Sequence, residues 1–127
     1  MSIVVDLDDL ARALGEHDYG YLLTTAASPD APSVKVVTVE PALVDDTLRI
    51  AAAGRGSARN IAANEVVTLA FPPRAYQGYT LIVDGTATAA DGDVVITPTK
   101  AVLHRPADHA DGPVPDDGCG HDCAPVG

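Results

Sequence analysis

Basic residues are scarce in this sequence. Eight Lys and Arg residues stand against 18 Asp and Glu residues, which gives a formal net charge of −10 at pH 7. A surface this acidic repels nucleic acid and anionic lipid, so we expect neither as a partner. An anionic small molecule would need a local basic site that opposes the overall field. Each of the eight cations is therefore informative as a candidate ligand-binding residue.

Cysteine, tryptophan and long apolar runs are also rare or missing. The two cysteines, Cys119 and Cys123, lie away from every strand-like run, which excludes a disulfide framework for the core. No apolar run reaches the roughly 20 residues that a membrane-spanning helix needs, and the first residues lack the pattern of a secretory signal. We therefore expect a cytoplasmic protein whose core rests on Val, Leu, Ile and Ala.

The sequence instead contains strand-like runs joined by short turns. A short helix is predicted at 6–14, and strands are predicted at 19–27, 33–44, 47–53, 65–73, 79–90 and 94–106. This pattern predicts a mainly β fold, an antiparallel sheet closed into a small barrel, because closure leaves no exposed strand edge. One domain is predicted over 1–106. Residues 107–127 hold five aspartates and almost no large apolar side chain, which indicates a C-terminal tail.

The stretch AAAGRGSARNIAAN at 51–64 has the features of an anion-binding turn. Its two inner glycines permit close approach of a ligand to the backbone. Ser57 is predicted as the N-cap of a short helix that ends at Ala63, and helix N-termini favour anions. Arg55 and Arg59 add two permanent cations. From these residues alone a plain strand-to-helix turn with surface arginines stays open, because the stretch matches no established phosphate-binding fingerprint.

The order of elements around this stretch adds weight to the anion-site interpretation. A helix, a strand pair with Lys35 on its second strand, a third strand, and then GRGSARNIAAN before EVVTLAF resembles the pyridoxamine 5'-phosphate oxidase-like family. These are FMN-binding split-barrel proteins, and the group includes deazaflavin-binding oxidoreductases. The resemblance covers roughly residues 5–105. Its most specific part is the segment with Ser57, Arg59 and Asn60.

The resemblance implies a six-stranded antiparallel split β-barrel with short helices, forming a homodimer with its sites at the subunit interface. It implies FMN as cofactor, with the phosphate held by Ser57 and Arg59. The full set of candidate cofactor-binding residues is Lys35, Val36, Val37, Thr38, Ala52, Ala53, Arg55, Ser57 and Arg59.

The function implied by the resemblance is that of a flavin-dependent oxidoreductase acting on a small molecule. The chemistry would belong to the cofactor, so no catalytic side chain is assigned. Strict pyridoxamine-phosphate oxidase activity is not expected, because YTLIVDG lacks the Arg-Gln pair that many flavin oxidases of the family carry on this strand. A deazaflavin-dependent reductase and a non-enzymatic ligand-, haem- or metal-binding module remain the alternatives.

The tail carries a second candidate site, the segment CGHDC at 119–123. Cys119, His121 and Cys123 offer three ligands of the kind that zinc and other soft metals prefer. A haem contact, a redox pair, a disulfide and a segment without a specific role stay open, because structural zinc normally takes four ligands.

Overall fold

One antiparallel sheet organises the chain. The structure is a computed structural model and describes residues 1–26 and 30–106, so the tail with Cys119, His121 and Cys123 lies outside the described residues. The strands are β1 (Ser2–Val5), β2 (Gly20–Thr25), β3 (Val34–Val39), β4 (Ala42–Val44), β5 (Thr47–Ile50), β6 (Val66–Phe71), β7 (Thr80–Ala90) and β8 (Asp93–His104). Helix α1 (Leu10–Leu14) follows a 3-10 turn at Leu7–Asp9, and α2 is Arg55–Ala63.

The sheet has the order β3-β2-β6-β7-β8-β5-β4, and β1 pairs with β8 beside this series. Every pairing is antiparallel. The sheet is not closed, because β3 and β4 end the series and do not pair with each other within the described residues. The predicted fold class, a mainly β split barrel with short helices, is confirmed, whereas the predicted closure is wrong.

The predicted number of six strands is also wrong, because the described part of the chain forms eight. Pro41 divides the predicted strand 33–44 into β3 and β4, since proline has no backbone N–H for a strand ladder. The sequence analysis did not predict β1. Its four residues pair with β8 about one hundred positions later, from Ser2 opposite His104 to Val5 opposite Ala101, and no local pattern reveals such a partner.

Strand β8 is long and bent. Asp84 lies opposite Lys100 and Gly85 lies opposite Pro98, so Thr99 is an extra residue that forms a bulge. A bulge interrupts the ladder and bends the strand, which is why Pro98 is tolerated inside it. The bend lets β8 pair with β5 through Val94–Ile96 and with β1 through Ala101–His104, while β7 follows it along its whole length.

The core lies on one face of the sheet, beneath α2. The largest fully buried apolar side chains are Leu22, Leu48, Leu69, Leu81 and Ile96. Ile61 of α2 is 3% exposed and joins the core from the helix side. No helix in the described part of the chain is long and apolar enough to cross a membrane.

Candidate anion and cofactor site

Helix α2 begins three residues earlier than the sequence predicts. Its N-cap is Gly54 with φ +99° and no side-chain cap. Glycine tolerates this conformation because it has no Cβ, so the backbone turns into the helix at Arg55. The prediction that Ser57 is the N-cap is therefore wrong, and Ser57 is the third helical residue. The first backbone N–H groups of α2 point out of an end that no side chain caps, where the helix dipole favours an anion.

Lys35 reaches this end of the helix from the edge strand β3. A Cβ placed on Gly56 would lie 2.8 Å from Lys35 Cε and 3.2 Å from Lys35 Nζ. The ammonium group therefore lies beside the first turn of α2, in space that any larger residue at position 56 would fill. The structure thus brings together Lys35 and the glycine turn, which lie about 20 positions apart in the sequence.

Ser57 is fully buried, and its Oγ has no hydrogen-bond partner among the described residues. It lies four positions before the buried Ile61, so both share the face of α2 that packs on the sheet. An unpaired buried hydroxyl costs about 1–3 kcal/mol. Such a cost is unusual in a native interior and marks Ser57 as a group that lacks a partner in the ligand-free protein.

Arg55 and Arg59 lie one turn apart on α2, and both are exposed. Neither forms a salt bridge within the described residues, where the ion pairs are those of Arg12 with Asp9 and Arg74 with Asp18. With Lys35, these arginines place three cations on or beside the first five residues of one helix, in a protein of net charge −10.

A cleft of about 260 Å³ lies where the sheet is open. It is lined by Thr38, Val39 and Glu40 at the end of β3 and by Ile50, Ala51, Ala52 and Ala53 after β5. Three of the predicted residues, Thr38, Ala52 and Ala53, therefore share one cavity.

Ala52 has φ +54°, a left-handed conformation that costs a non-glycine residue about 1–2 kcal/mol. Its N–H donates to Asp93 Oδ1 at 3.2 Å, which helps to hold this shape.

The remaining two predicted residues, Val36 and Val37, do not line this cleft. Side chains alternate along β3, so Lys35 and Val37 share the face of Thr24 and Leu22, while Val36 points to the other face and is 54% exposed. Val36, Val37 and Thr38, which are all predicted to bind the cofactor, can therefore contact one ligand together only through the strand backbone, because their side chains do not share a face.

A wider groove of about 660 Å³ lies at the other end of α2, lined by Ile61–Val66 and Ala87–Ala89. None of the predicted site residues lines it, and its one charged side chain is Glu65. Size alone does not make it the functional site, because the cations gather at the opposite end of the helix.

Two contacts near the candidate site were not predicted from the sequence. Asn60 Nδ2 donates to Thr24 Oγ1 at 3.0 Å and ties α2 to β2. Tyr21 lies opposite Thr38, and its ring meets Tyr19 edge-on with centroids 5.6 Å apart. The hydrogen bond between the two hydroxyls raises the pKa of Tyr19 above its usual value. The only sequence signal for the tyrosine pair is the two-residue spacing of Tyr19 and Tyr21 in YGY, which puts both on one face of a strand. No sequence pattern predicts the Thr24–Asn60 contact.

Among the described residues, no group of three or more His, Cys, Asp or Glu side chains is placed to hold a metal ion. Cys119, His121 and Cys123 lie outside those residues, so the metal site of the tail stays a prediction.

Known proteins resemble this chain in sequence and, separately, in three-dimensional structure. The chain is 36% identical over 135 aligned residues to the uncharacterized proteins Mb0449c of Mycobacterium bovis and MT0457 of Mycobacterium tuberculosis, with 94% of this chain and 92% of each relative covered. No family model matches the chain.

Solved structures share the fold. An FAD-binding protein from Mycobacterium smegmatis matches 83% of this chain and 100% of its own with a TM-score of 0.58 at 16% identity. An F420 reductase matches 71% of this chain and 94% of its own with a TM-score of 0.53 at 21% identity. A pyridoxamine 5'-phosphate oxidase-like protein from Listeria innocua matches 74% of this chain and 92% of its own with a TM-score of 0.53 at 14% identity. At these identities the likeness establishes a common fold.

Proposed function

This chain belongs to the family of the uncharacterized mycobacterial proteins Mb0449c and MT0457, and we propose that it binds FMN and acts as a flavin-dependent oxidoreductase on a small molecule. The observation that carries the proposal is the position of Lys35 Nζ, 3.2 Å from the place of a Cβ on Gly56 at the uncapped start of α2. A cation, a helix N-terminus and an open glycine position together suit a phosphate monoester.

The residues present fit a flavin in two parts. The phosphate would lie at the start of α2, between Lys35 and the guanidinium groups of Arg55 and Arg59. The ring would lie in the cleft, against the backbone of Ala52 and Ala53. Lys35 and the cleft residue Val39 lie on the same face of β3, four residues or about 13 Å apart, so one strand can hold both the phosphate and the ring.

Ser57 would complete the phosphate site through its unpaired hydroxyl. Since Ser57 has no exposed surface, a ligand reaches Oγ only after a neighbouring side chain moves. The stem of Lys35 lies against the adjacent Gly56 and is long and flexible, so it is the side chain that we expect to move. Binding would then give the hydroxyl an acceptor and remove its unpaired state.

When bound, the flavin would supply the transfer of electrons or hydride. The protein holds the phosphate, orients the ring through the cleft and leaves the open side of the barrel for a substrate. Glu40 at the rim of the cleft disfavours an anionic substrate by charge repulsion.

A deazaflavin-dependent reductase is the second candidate, favoured by the fold shared with an F420 reductase. FAD is a further cofactor to test, because an FAD-binding protein also shares the fold. FMN is the cofactor that we favour, because the three cations gather at one helix end and suit one phosphate. Larger anionic cofactors would extend over a surface that is strongly acidic.

We also propose that two copies of the chain associate through the sheet face opposite α2. Residues that pair across neighbouring strands lie side by side on one face. Of two such rows on this face, the first begins with apolar residues and continues with polar and charged ones, and the second is largely apolar. The rows are Val36, Leu23, Thr68, Asp84 and Lys100, and Thr38, Tyr21, Ala70, Ile82, Val102 and Val4. Val4 is 76% exposed and Val36 is 54% exposed.

The charges of this face match those of a second copy. Asp84 lies opposite Lys100 on adjacent strands, and its Oδ1 accepts a 2.7 Å hydrogen bond from Thr68. A twofold axis through the face would set Asp84 of each copy near Lys100 of the other, so the surface is complementary to itself.

The experiment that tests the proposed function is a titration of purified protein with FMN, FAD, a deazaflavin cofactor and riboflavin, followed by flavin absorbance and fluorescence. We expect FMN to bind most tightly and riboflavin, which lacks the phosphate, to bind clearly more weakly. Absence of FMN binding at tens of micromolar would refute the proposal. Tighter binding of the deazaflavin would establish the second candidate instead.

A further inference from the structure

The hydrogen bond between Asn60 and Thr24 lies next to the contact between Lys35 and Gly56. Asn60 Nδ2 donates to Thr24 Oγ1 at 3.0 Å, and Thr24 is 1% exposed. Thr24 on β2 pairs directly with Lys35 on β3. On α2, Gly56 and Asn60 are four residues apart, so they lie on the same side of the helix, one turn from each other.

These four residues form a closed ring of contacts. Two neighbouring strand residues, Thr24 and Lys35, touch α2 at two points separated by one helical turn. The buried side chains of Ser57 and Ile61 already hold one face of α2 on the sheet. The hydrogen bond from Asn60 to Thr24 fixes the neighbouring face as well, and it stays in place when the flexible Lys35 side chain moves. Together they set the direction in which the N–H groups of the first turn point.

The choice of residue at position 60 supports a role beyond packing. Asn is less favourable than Ala inside a helix by about 0.6 kcal/mol, and Asn60 is only partly buried. An apolar helix former would pack there at lower cost. What Asn adds is a directional hydrogen bond to a buried hydroxyl.

We propose that Thr24 and Asn60 are positioning residues of the phosphate site. Their hydrogen bond holds the start of α2 in the rotation in which its N–H groups and Lys35 face the same phosphate. This inference rests on the proposed FMN site and adds two residues that do not touch the cofactor. The preference for FMN over riboflavin then depends on a contact between β2 and the middle of α2.

The test measures that preference in variants of Thr24. Thr24→Val keeps the shape of the side chain and removes the hydroxyl, and we expect FMN affinity to fall about tenfold, the size of one hydrogen bond to a positioned group. Riboflavin affinity should stay within about twofold, because riboflavin has no phosphate to be misplaced. Thr24→Ser keeps the hydroxyl and should retain the FMN preference of the unaltered protein.

Asn60→Leu provides an independent variant, because leucine is a good helix former and a half-buried position accepts it. It should lower the FMN preference as Thr24→Val does. The double variant should be no worse than either single one, since both remove the same hydrogen bond. Urea unfolding of each variant confirms that the compared proteins are folded.

The outcomes separate the inference from the proposed function. If FMN and riboflavin affinities fall together, or if the two single effects add, the contact is merely structural and the inference is overturned. If the unaltered protein binds riboflavin as well as FMN, the phosphate site itself is refuted, and the positioning role falls with it.

Discussion

Arg59 shows at the scale of a single residue how local charge can oppose the charge of the whole molecule. It is exposed on α2 and forms no ion pair within the described residues. A guanidinium in this state gains most from a phosphate, because a charge-assisted hydrogen bond contributes about 1.5–3 kcal/mol.

Arg59→Ala should therefore weaken FMN binding about 10- to 100-fold and leave riboflavin binding unchanged, as measured by fluorescence titration. Arg12→Ala is the matched control, because it removes one positive charge from an exposed arginine of α1 that is already paired with Asp9. Equal losses in the two variants would show that Arg59 acts through net charge alone.

The hydroxyl of Ser57 should affect both the stability of the ligand-free protein and its affinity for FMN. Ser57→Ala removes the unpaired hydroxyl, so the free energy of unfolding of the ligand-free protein should rise by about 1 kcal/mol in urea titrations. The same change should weaken FMN binding several-fold, because the phosphate loses a donor. An FMN affinity that stays constant would remove Ser57 from the phosphate site, and a loss of stability would show that the hydroxyl has a partner.

At the scale of elements, the pairing of β7 with β8 depends on Gly85. A Cβ at this position would lie 2.5 Å from Thr97 O and 3.0 Å from Ile96 Cγ2. The strands are therefore closer here than any other residue allows, and the bulge at Thr99 begins at this point.

Gly85→Ala should lower the free energy of unfolding by about 1–3 kcal/mol, the usual range for an overpacked core position. Thr88→Ala, at an exposed position of the same strand, should change it by less than about 0.5 kcal/mol. Urea unfolding monitored by circular dichroism measures both. An unchanged stability of the Gly85 variant would mean that β7 and β8 can separate at this point without cost.

The elements that the sequence predicted well are those with local patterns. Strand β7 lies within the predicted strand 79–90, and its buried residues Leu81, Val83 and Ala87 alternate with half-buried or exposed ones. The start of α2 was missed because Gly54 turns the backbone at a positive φ, whereas a serine is the commoner cap.

The contacts of the candidate site were less accessible to sequence analysis. The resemblance to a family made Lys35 a cofactor-binding candidate on the second strand, but its position beside the start of α2 depends on tertiary structure. The Thr24–Asn60 contact and strand β1 depend on tertiary structure, and no pattern in their own segments of the sequence predicts them.

At the scale of the whole molecule, the sheet face opposite α2 determines the assembly that we propose. Lys100→Asp should place carboxylates against Asp84 of the second copy and weaken association, since like charges at an interface cost several kcal/mol. Combining it with Asp84→Lys should restore association to within a few-fold. Analytical ultracentrifugation over a concentration series measures this, with Arg12→Asp as a control for charge. A monomer at tens of micromolar for the unaltered protein would contradict the proposal.

The bent strand β8 has a consequence for how this protein reaches its native state. β8 is the last strand in the described part of the chain, yet β1, β5 and β7 all hydrogen-bond to it. During synthesis the partner of β1 therefore emerges about one hundred residues after β1 itself. Until then β5 has only β4 as a neighbour. Contacts of such long sequence separation slow folding, and strands that wait expose edges that other chains can join. A ribosome-bound chain that ends before Asp93 should remain sensitive to protease, and protection should appear in one step once His104 has emerged.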